Sequence, residues 1–339
     1  MNSKKNIESI RKTLGKQKYA FAGHHSAVQI CRWTKNSLNK KGSCWKEKFY
    51  GIESHRCCEM SPAVIWCENQ CLHCWRPIEL NLGTKLETID EPEKILTGII
   101  EARKKLIMGF KGNKKVSEKK FKEALEPTLF TMSLSGEPTL YPRLGELFSE
   151  IRKRKCISFL VTNGQNPEVL EKLEKENNLP TQLTISMNAG NEKLFKLWHR
   201  SSKKDAWKRF NQSLDIIKNL KEKTRRAVRL TLVKPGTNKA KYQELTNMSD
   251  ENAKEYALLI KKADPDFIHV KGFMSVGYSR ERLGYDKMPW HYEIKKFAEK
   301  LLEELKKQGM KDYKIMGEEK RSCVVLLAKN KKDLKIKNV

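Results

Sequence analysis

Three cysteines share one short loop, Cys67-Glu68-Asn69-Gln70-Cys71-Leu72-His73-Cys74, at spacings of four and three residues. Thiolate sulfur is a soft metal ligand, and clustered thiols point to metal. Structural zinc normally takes four ligands, commonly in paired short spacings. A cubane iron–sulfur cluster is also normally held by four cysteines. Three thiolates from one tight loop leave one iron of a cubane free for an exogenous ligand. An open iron is what substrate or cofactor chemistry needs, so the spacing favours iron, with zinc as the competing reading.

Cys31, Cys44 and Cys57 precede this loop, separated by 13 and 13 residues, and Cys58 follows directly. That spacing matches no compact zinc module. Either these are unrelated small apolar residues, or a second metal centre pins a segment that lacks a core. Spacing decides neither this nor the choice between Cys57 and Cys58. Seven of the nine cysteines lie between Cys31 and Cys74, a distribution that a reducing compartment explains by metal rather than by disulfides.

The elements that must position these groups follow from the apolar pattern. The first 60 residues hold 13 Lys+Arg and 4 Asp+Glu, and they read as irregular. Strands are then expected at AVIW (63–66), TLFTMSL (128–134), ISFLV (157–161), QLTIS (182–186), AVRLTLV (227–233) and DFIHVK (266–271). Helices are expected at roughly 92–108, 142–154, 167–177, 204–222, 250–262 and 290–307, with Pro92 and Pro167 at first turns. Six alternations argue for an α/β fold with parallel strands and right-handed crossovers. They do not separate an open doubly wound sheet from a partial barrel of six units. CVVLLA (323–328) adds an expected strand, and the lysine-rich end reads as frayed. The cysteine loop follows the first expected strand. Ser135-Gly136-Glu137-Pro138-Thr139, Thr162-Asn163-Gly164 and Ser186-Met187-Asn188-Ala189 follow the next three. Each alone is a turn. Together they sit where an α/β barrel builds its active site.

Lys+Arg number 69 against 41 Asp+Glu, a formal charge of +28. No stretch approaches 18 apolar residues and the amino terminus has no apolar signal core, so a membrane partner is not expected and a cytoplasmic protein is. The excess points to nucleic acid. Between Arg200 and Lys241 there are 14 Lys+Arg and 3 Asp+Glu. Trp198, His199 and Trp207, beside or within that stretch, are candidates to stack on bases.

The Cys67–Cys74 loop resembles the C-x₃-C-x₂-C signature of radical S-adenosylmethionine (SAM) enzymes. The resemblance implies that the open iron of a [4Fe–4S] cluster chelates SAM and that His73 helps place its adenine. It implies that the Ser135-Gly136-Glu137 turn meets the SAM amino group, with Thr162, Asn163, Ser186 and Asn188 around the cofactor. Asn188 stands where many relatives have Asp. The expected architecture is then a partial TIM-type (β/α)6 barrel over 61–310, with an N-terminal extension over 1–60 and a small C-terminal extension over 311–339.

Gly42-Ser43-Cys44, Phe49-Tyr50-Gly51-Ile52, Ser54-His55-Arg56-Cys57, Arg229–Lys234, Val270–Met274 and Gly277-Tyr278-Ser279-Arg280 narrow the resemblance to the wybutosine-pathway family of tRNA 4-demethylwyosine synthases. That family implies a second [4Fe–4S] cluster on Cys31, Cys44 and Cys57, with Cys58 a bystander. It implies a lyase-type reaction joining two pyruvate carbons to N1-methylguanosine beside the anticodon of tRNA(Phe), with electrons from a separate donor protein. Lys46, with Lys40, Lys41 and Lys48 as sequence neighbours, is the candidate for capturing the pyruvate ketone, since nearby cations lower an amine pKa. A plain electrostatic role fits Lys46 equally. The competing functions are a radical SAM enzyme on another RNA or small molecule, and a non-enzymatic zinc-stabilised RNA-binding protein.

Overall fold

A computed structural model describes residues 3–237 and 242–336. Its strands are β1 (Ala20–Ala22), β2 (Ser26–Gln29), β3 (Cys57–Ser61), β4 (Leu129–Met132), β5 (Ile157–Thr162), β6 (Gln182–Ser186), β7 (Arg225–Leu232), β8 (Phe267–Gly272), β9 (Lys314–Glu319) and β10 (Val324–Ala328). They form one sheet in the order β1-β2-β3-β4-β5-β6-β7-β8-β10-β9. The six strands β3 to β8 are parallel. Antiparallel β1–β2 flanks one side and β10–β9 the other. The sheet is α/β in character and curls without closing.

Helices Pro92–Met108, Leu144–Lys153, Pro167–Lys175, Ala206–Asn219, Asp250–Ala263 and His291–Lys307 match the expected ones to within a few residues. Their starts have identifiable causes. Pro92 and Pro167 occupy first-turn positions where no amide donor is missed. Ser249 caps Asp250–Ala263 by accepting from Asn252 N, and Asn252 returns the bond. These helices bury one stripe each against the outer face of the sheet. None among the described residues is long and apolar enough to cross a membrane.

Two expectations fail in the amino-terminal region. Residues 1–60 are not irregular: they carry helices Ser3–Lys16, Arg32–Leu38 and Trp45–Tyr50 and the β1–β2 hairpin. The AVIW run is not a strand either. Ala63, Val64, Ile65 and Trp66 form a buried turn packed with Ile10 and Leu14 of the first helix. A short apolar run cannot be told from any other buried segment by periodicity. The true first parallel strand is β3, CCEMS, whose inward positions Cys57, Glu59 and Ser61 are polar or thiol-bearing. Cys58 and Met60 point to the helix side, in the core with Ile95 and Leu96, because successive strand residues face opposite ways. The alternation therefore separates Cys57 from Cys58. Helices Glu118–Ala124, Glu192–His199 and Ser279–Leu283 and strand β9 were not legible as elements. Of the lysine-rich end, Lys331–Asp333 forms a short 3₁₀ turn; 337–339 lie outside the described residues.

Candidate active site at the carboxyl ends of the parallel strands

The Cys67–Cys74 loop follows β3 after the buried turn. Its backbone is fixed from below, where Gln70 N donates to His199 O (2.9 Å) and Leu72 N to Trp198 O (3.0 Å). Cys71 Sγ lies 3.2 Å from His199 Nδ1. Cys67 Sγ accepts from Asn69 N at 3.4 Å and from Asn163 Nδ2 at 3.7 Å. Burial pushes all three thiols up in pKa, and neighbouring charges such as Glu68 and the other thiolates add to this for Cys67. Such a set is stable as thiolate only around a cation.

The Ser135–Thr139 turn docks directly on the turn before the loop. Glu137 N donates to Trp66 O at 2.7 Å. Gly136 has φ +67°, and a Cβ there would sit 1.8 Å from Ala63 O and 2.6 Å from Trp66 O. Only glycine meets both demands. Gly136→Ala is expected to cost more than about 3 kcal/mol of unfolding free energy, read from urea denaturation, and to abolish SAM binding in equilibrium dialysis. Near-wild-type values of both would show the turn to be dispensable.

The carboxylate of Glu137 joins this turn to the next. Its Oε1 accepts from Thr139 N (3.1 Å), Thr139 Oγ1 (2.7 Å) and Thr162 Oγ1 (2.7 Å), and its Oε2 from Asn163 N (2.8 Å). Burial, then the charge of Glu68, push it up to about 7 against these donors. Glu68, unremarked in the sequence, is buried and accepts from Asn166 Nδ2 (2.7 Å) and Asn163 Nδ2 (3.2 Å), with Lys203 Nζ 3.9 Å away. At β6, Asn188 Nδ2 and His73 Nε2 are 3.2 Å apart, and Asn188 Oδ1 accepts from Thr231 N at 2.9 Å. Burial, reinforced by His199 and nearby arginines, lowers His73 to about 3, so its ring is neutral at physiological pH. Arg229 Nη2 donates to Ser186 Oγ at 3.2 Å. The structure thus brings Cys67, Cys71, Cys74, His73, Ser135, Gly136, Glu137, Thr162, Asn163, Ser186 and Asn188 to one end of the sheet.

The earlier cysteines gather lower in the same interior. Cys31 and Cys44 are the residues before helices Arg32–Leu38 and Trp45–Tyr50, and Cys57 opens β3. Cys44 N donates to Ser54 Oγ at 2.8 Å. Burial pushes Cys31 up to about 11, with Glu59 and Cys57 adding, and Cys44 up to about 12, with Lys46 opposing. Lys46 Nζ is 3.8 Å from Cys57 Sγ and 3.1 Å from Thr131 Oγ1, and 5.6 Å from the centroid of the Phe159 ring. The Lys46 amine is not depressed, because it faces thiols and Glu59 rather than its lysine neighbours in sequence. Burial lowers it, but Cys57, Cys44, Cys31 and Glu59 outweigh burial and the net direction is upward. Helix Trp45–Tyr50 closes the floor, its Phe49 and Tyr50 clustered with Phe159 and Phe267. Glu59 shares the inward face of β3 with Cys57; burial pushes its carboxyl up, against Arg76, Lys46 and Arg229.

The Cys67, Cys71 and Cys74 donors fit a cubane cluster better than a single zinc. Among the described residues no three thiols lie within 4.8 Å of one another, whereas zinc–sulfur bonds of about 2.3 Å hold tetrahedral ligands closer than that. Buried polar atoms without protein partners also converge on this interior: His73 Nδ1, both amide atoms of Asn69, Arg76 Nη2 and Arg229 Nε. Unsatisfied groups concentrated in one place are the mark of a site that takes a polar ligand.

The expected stacking residues are elsewhere. Trp198 and His199 are fully buried beneath the cysteine loop, and Trp207 is partly buried and stacked on Phe210 at 5.6 Å. Hydrophobic packing claims Trp198 and His199 because helix Glu192–His199 turns that face to the core, and Trp207, on helix Ala206–Asn219, packs against the same core. Within the basic stretch, Arg209 pairs with Glu168 and Arg226 with Asp266. Residues 238–241 of it lie outside the described ones.

Known proteins share this arrangement. The chain matches the radical SAM superfamily over residues 63–249 and the family described as wyosine base formation over 262–329. Fold, thiol loop and match together define a radical SAM enzyme, which implies SAM and a [4Fe–4S] cluster. An S-adenosyl-L-methionine-dependent tRNA 4-demethylwyosine synthase of Pyrococcus abyssi is 43% identical over 327 residues, covering 96% of this chain and 90% of the relative. Its counterpart in Methanocaldococcus jannaschii is 39% identical over 326 residues, covering 94% and 96%. A solved structure of TYW1 with a lysine-pyruvate adduct bound matches with a TM-score of 0.80 at 36% identity, covering 97% of each chain. The chain belongs to the tRNA 4-demethylwyosine synthase family and is an enzyme of wyosine formation in tRNA.

Proposed function

We propose that this enzyme joins two carbons of pyruvate to N1-methylguanosine beside the anticodon of tRNA(Phe), giving 4-demethylwyosine. The observation that carries the reading is the pairing of two thiol groups in one barrel interior with Lys46 set against the lower one. Cys67, Cys71 and Cys74 hold the cluster that, once reduced, supplies the electron for cleaving SAM to methionine and a 5′-deoxyadenosyl radical. The Ser135–Glu137 turn receives the SAM amino group, kept in place by the Glu137 bonds to Thr139, Thr162 and Asn163. Neutral His73, held by Asn188, borders the adenine, and Ser186 and Asn188 border the ribose. Cys31, Cys44 and Cys57 hold a second [4Fe–4S] cluster, and Lys46 captures the pyruvate ketone as an imine. A relative bears a lysine-pyruvate adduct, and Lys46 Nζ lies 3.8 Å from Cys57 Sγ and 3.1 Å from Thr131 Oγ1 on the neighbouring strand. Electrons come from a separate donor protein.

Anaerobic incubation with SAM, reductant, pyruvate and N1-methylguanosine-containing tRNA, followed by nucleoside mass analysis, tests the reading; a product mass without the added pyruvate carbons would refute it. The +28 charge sets a second expectation. With several lysine–phosphate contacts, tRNA affinity should fall on the order of 10³-fold between about 50 and 200 mM salt. An affinity flat across that range, by fluorescence anisotropy, would contradict RNA recognition by charge.

A further inference from the structure

Trp198 is inside the protein and Trp207 is half-buried against Phe210, yet a different set of aromatic rings is exposed. Among the described residues four aromatic side chains are exposed: Trp75, Tyr285, Trp290 and Tyr292, the last at 69%. Val276, also exposed, lies between them in sequence. Three of the rings fall in the segment after β8, and Trp75 directly follows Cys74.

This segment is fastened to the mouth of the barrel. Arg282 donates from Nε to Leu72 O at 3.2 Å, and from Nη2 to Arg76 O at 3.2 Å and to Cys74 O. Tyr278 N donates to Trp75 O at 3.1 Å. Gly277 has φ +57°, and a Cβ there would lie 2.4 Å from Trp75 O, so glycine permits the close approach. On its other side the segment reaches the end of β7, where Lys234 N donates to Lys287 O at 3.2 Å. The rings therefore border the opening above the Cys67–Cys74 loop.

We infer that Tyr285, Trp290 and Tyr292, with Trp75 beside them, form a stacking surface for unstacked bases of the tRNA loop that carries the target nucleotide. This rests on the tRNA reading above and assigns the residues that perform it. Tyr285 and Trp290 meet edge to face, with centroids 6.1 Å apart, so the edge of one covers a face of the other, and both rings remain exposed on their other sides, at 58% and 45%. Single-stranded RNA is held by such faces. Local charge points the same way. Arg282 is paired with Glu79, and Lys287 is spent on carbonyls of 242, 243 and 245. Arg76 lies over one face of Trp75, 3.0 Å from the ring centroid, and Arg280 is exposed, so the patch offers aromatic faces flanked by cations, suited to bases and their phosphates, within an overall excess of +28. The rings of the segment also lie within 262–329, the part matched by the wyosine base formation family and outside the radical SAM match. A surface serving the tRNA rather than SAM belongs there. Taking the target base out of its stack costs energy, and stacking its neighbours on these rings offsets it.

The test is anisotropy titration of the reconstituted enzyme with N1-methylguanosine-containing tRNA, at several salt concentrations. Tyr285→Ala and Trp290→Ala should each weaken binding about ten- to hundredfold, with the slope against salt unchanged, because no phosphate contact is lost. Trp290→Phe should stay within about threefold, and Tyr292→Ala, at the most exposed ring, guards against a folding defect; melting midpoints are compared throughout. Wild-type affinity in all the alanine variants would overturn the inference. So would a loss of turnover on alanine substitution that appears only with a protein electron donor and not with dithionite, tRNA affinity staying at the wild-type level, which would make the patch a protein-docking surface. Failure of the wild-type chain to bind tRNA would overturn the RNA reading itself, and this surface with it.

Discussion

Cys71→Ala is expected to bring reductive SAM cleavage down to the no-enzyme background, while Cys44→Ala is expected to leave it substantially intact and abolish 4-demethylwyosine formation. The two thiol groups are separate in the structure. Cys71 sits against His199 above the strand ends, and Cys44 caps the floor helix beside Lys46. Cys44 is buried and Cys71 half-buried, and a water cannot replace either sulfur without loss of the metal-binding set. Two cubanes predict about eight iron atoms per fully reconstituted chain and about four in either variant. Iron analysis with electron paramagnetic resonance of the reduced protein checks this. In Cys44→Ala the remaining signal should still respond to added SAM, and in Cys71→Ala it should not. About four irons in the wild-type chain would remove the second cluster, and with it the pairing of thiol groups that carries the proposed reaction, leaving SAM cleavage at Cys67, Cys71 and Cys74.

Lys46→Arg is expected to abolish product formation, with SAM cleavage retained. Arginine keeps the positive charge and can still approach Thr131 Oγ1, which Lys46 Nζ reaches at 3.1 Å, but it is not a nucleophile towards a ketone. A purely electrostatic lysine would survive the change with a modest loss. Borohydride trapping with pyruvate separates the cases independently of turnover: wild type should gain a reduced adduct mapped by peptide mass analysis to Lys46, and Lys46→Arg none. Finding no adduct on Lys46 in wild-type protein would remove the imine. The amine faces thiols and Glu59 in the ligand-free chain. Neutralising those thiolates with a bound metal centre relieves the upward pull, so trapping should require iron-loaded protein.

Much of this molecule was legible in one dimension. Cys67, Cys71 and Cys74 announce themselves because metal ligation from a tight loop needs sulfur at short spacing, and five of the six parallel strands and six of their helices follow from apolar runs and proline-marked starts. What failed did so for physical reasons. β3 was hidden because its inward positions, Cys57, Glu59 and Ser61, serve the interior chemistry and break the apolar pattern. AVIW looked like a strand because a buried turn needs the same side chains as a buried strand. Glu68 and Asn166, whose 2.7 Å bond lies beneath the site, carry no signal, since a carboxylate between cysteines reads as solvated loop.

The sequence by itself determined which atoms can ligate, carry charge and alternate between helix and strand, because those properties belong to residue types and local spacing. Tertiary structure alone decided which face each side chain takes. It put Cys57 inside and Cys58 against the helices, surrounded Lys46 with sulfur rather than lysine, and sent Trp198 into the core and Trp207 onto Phe210 while leaving Tyr285 and Trp290 outside. Burial and neighbourhood are set by contacts between residues far apart in the chain, and no local pattern encodes them.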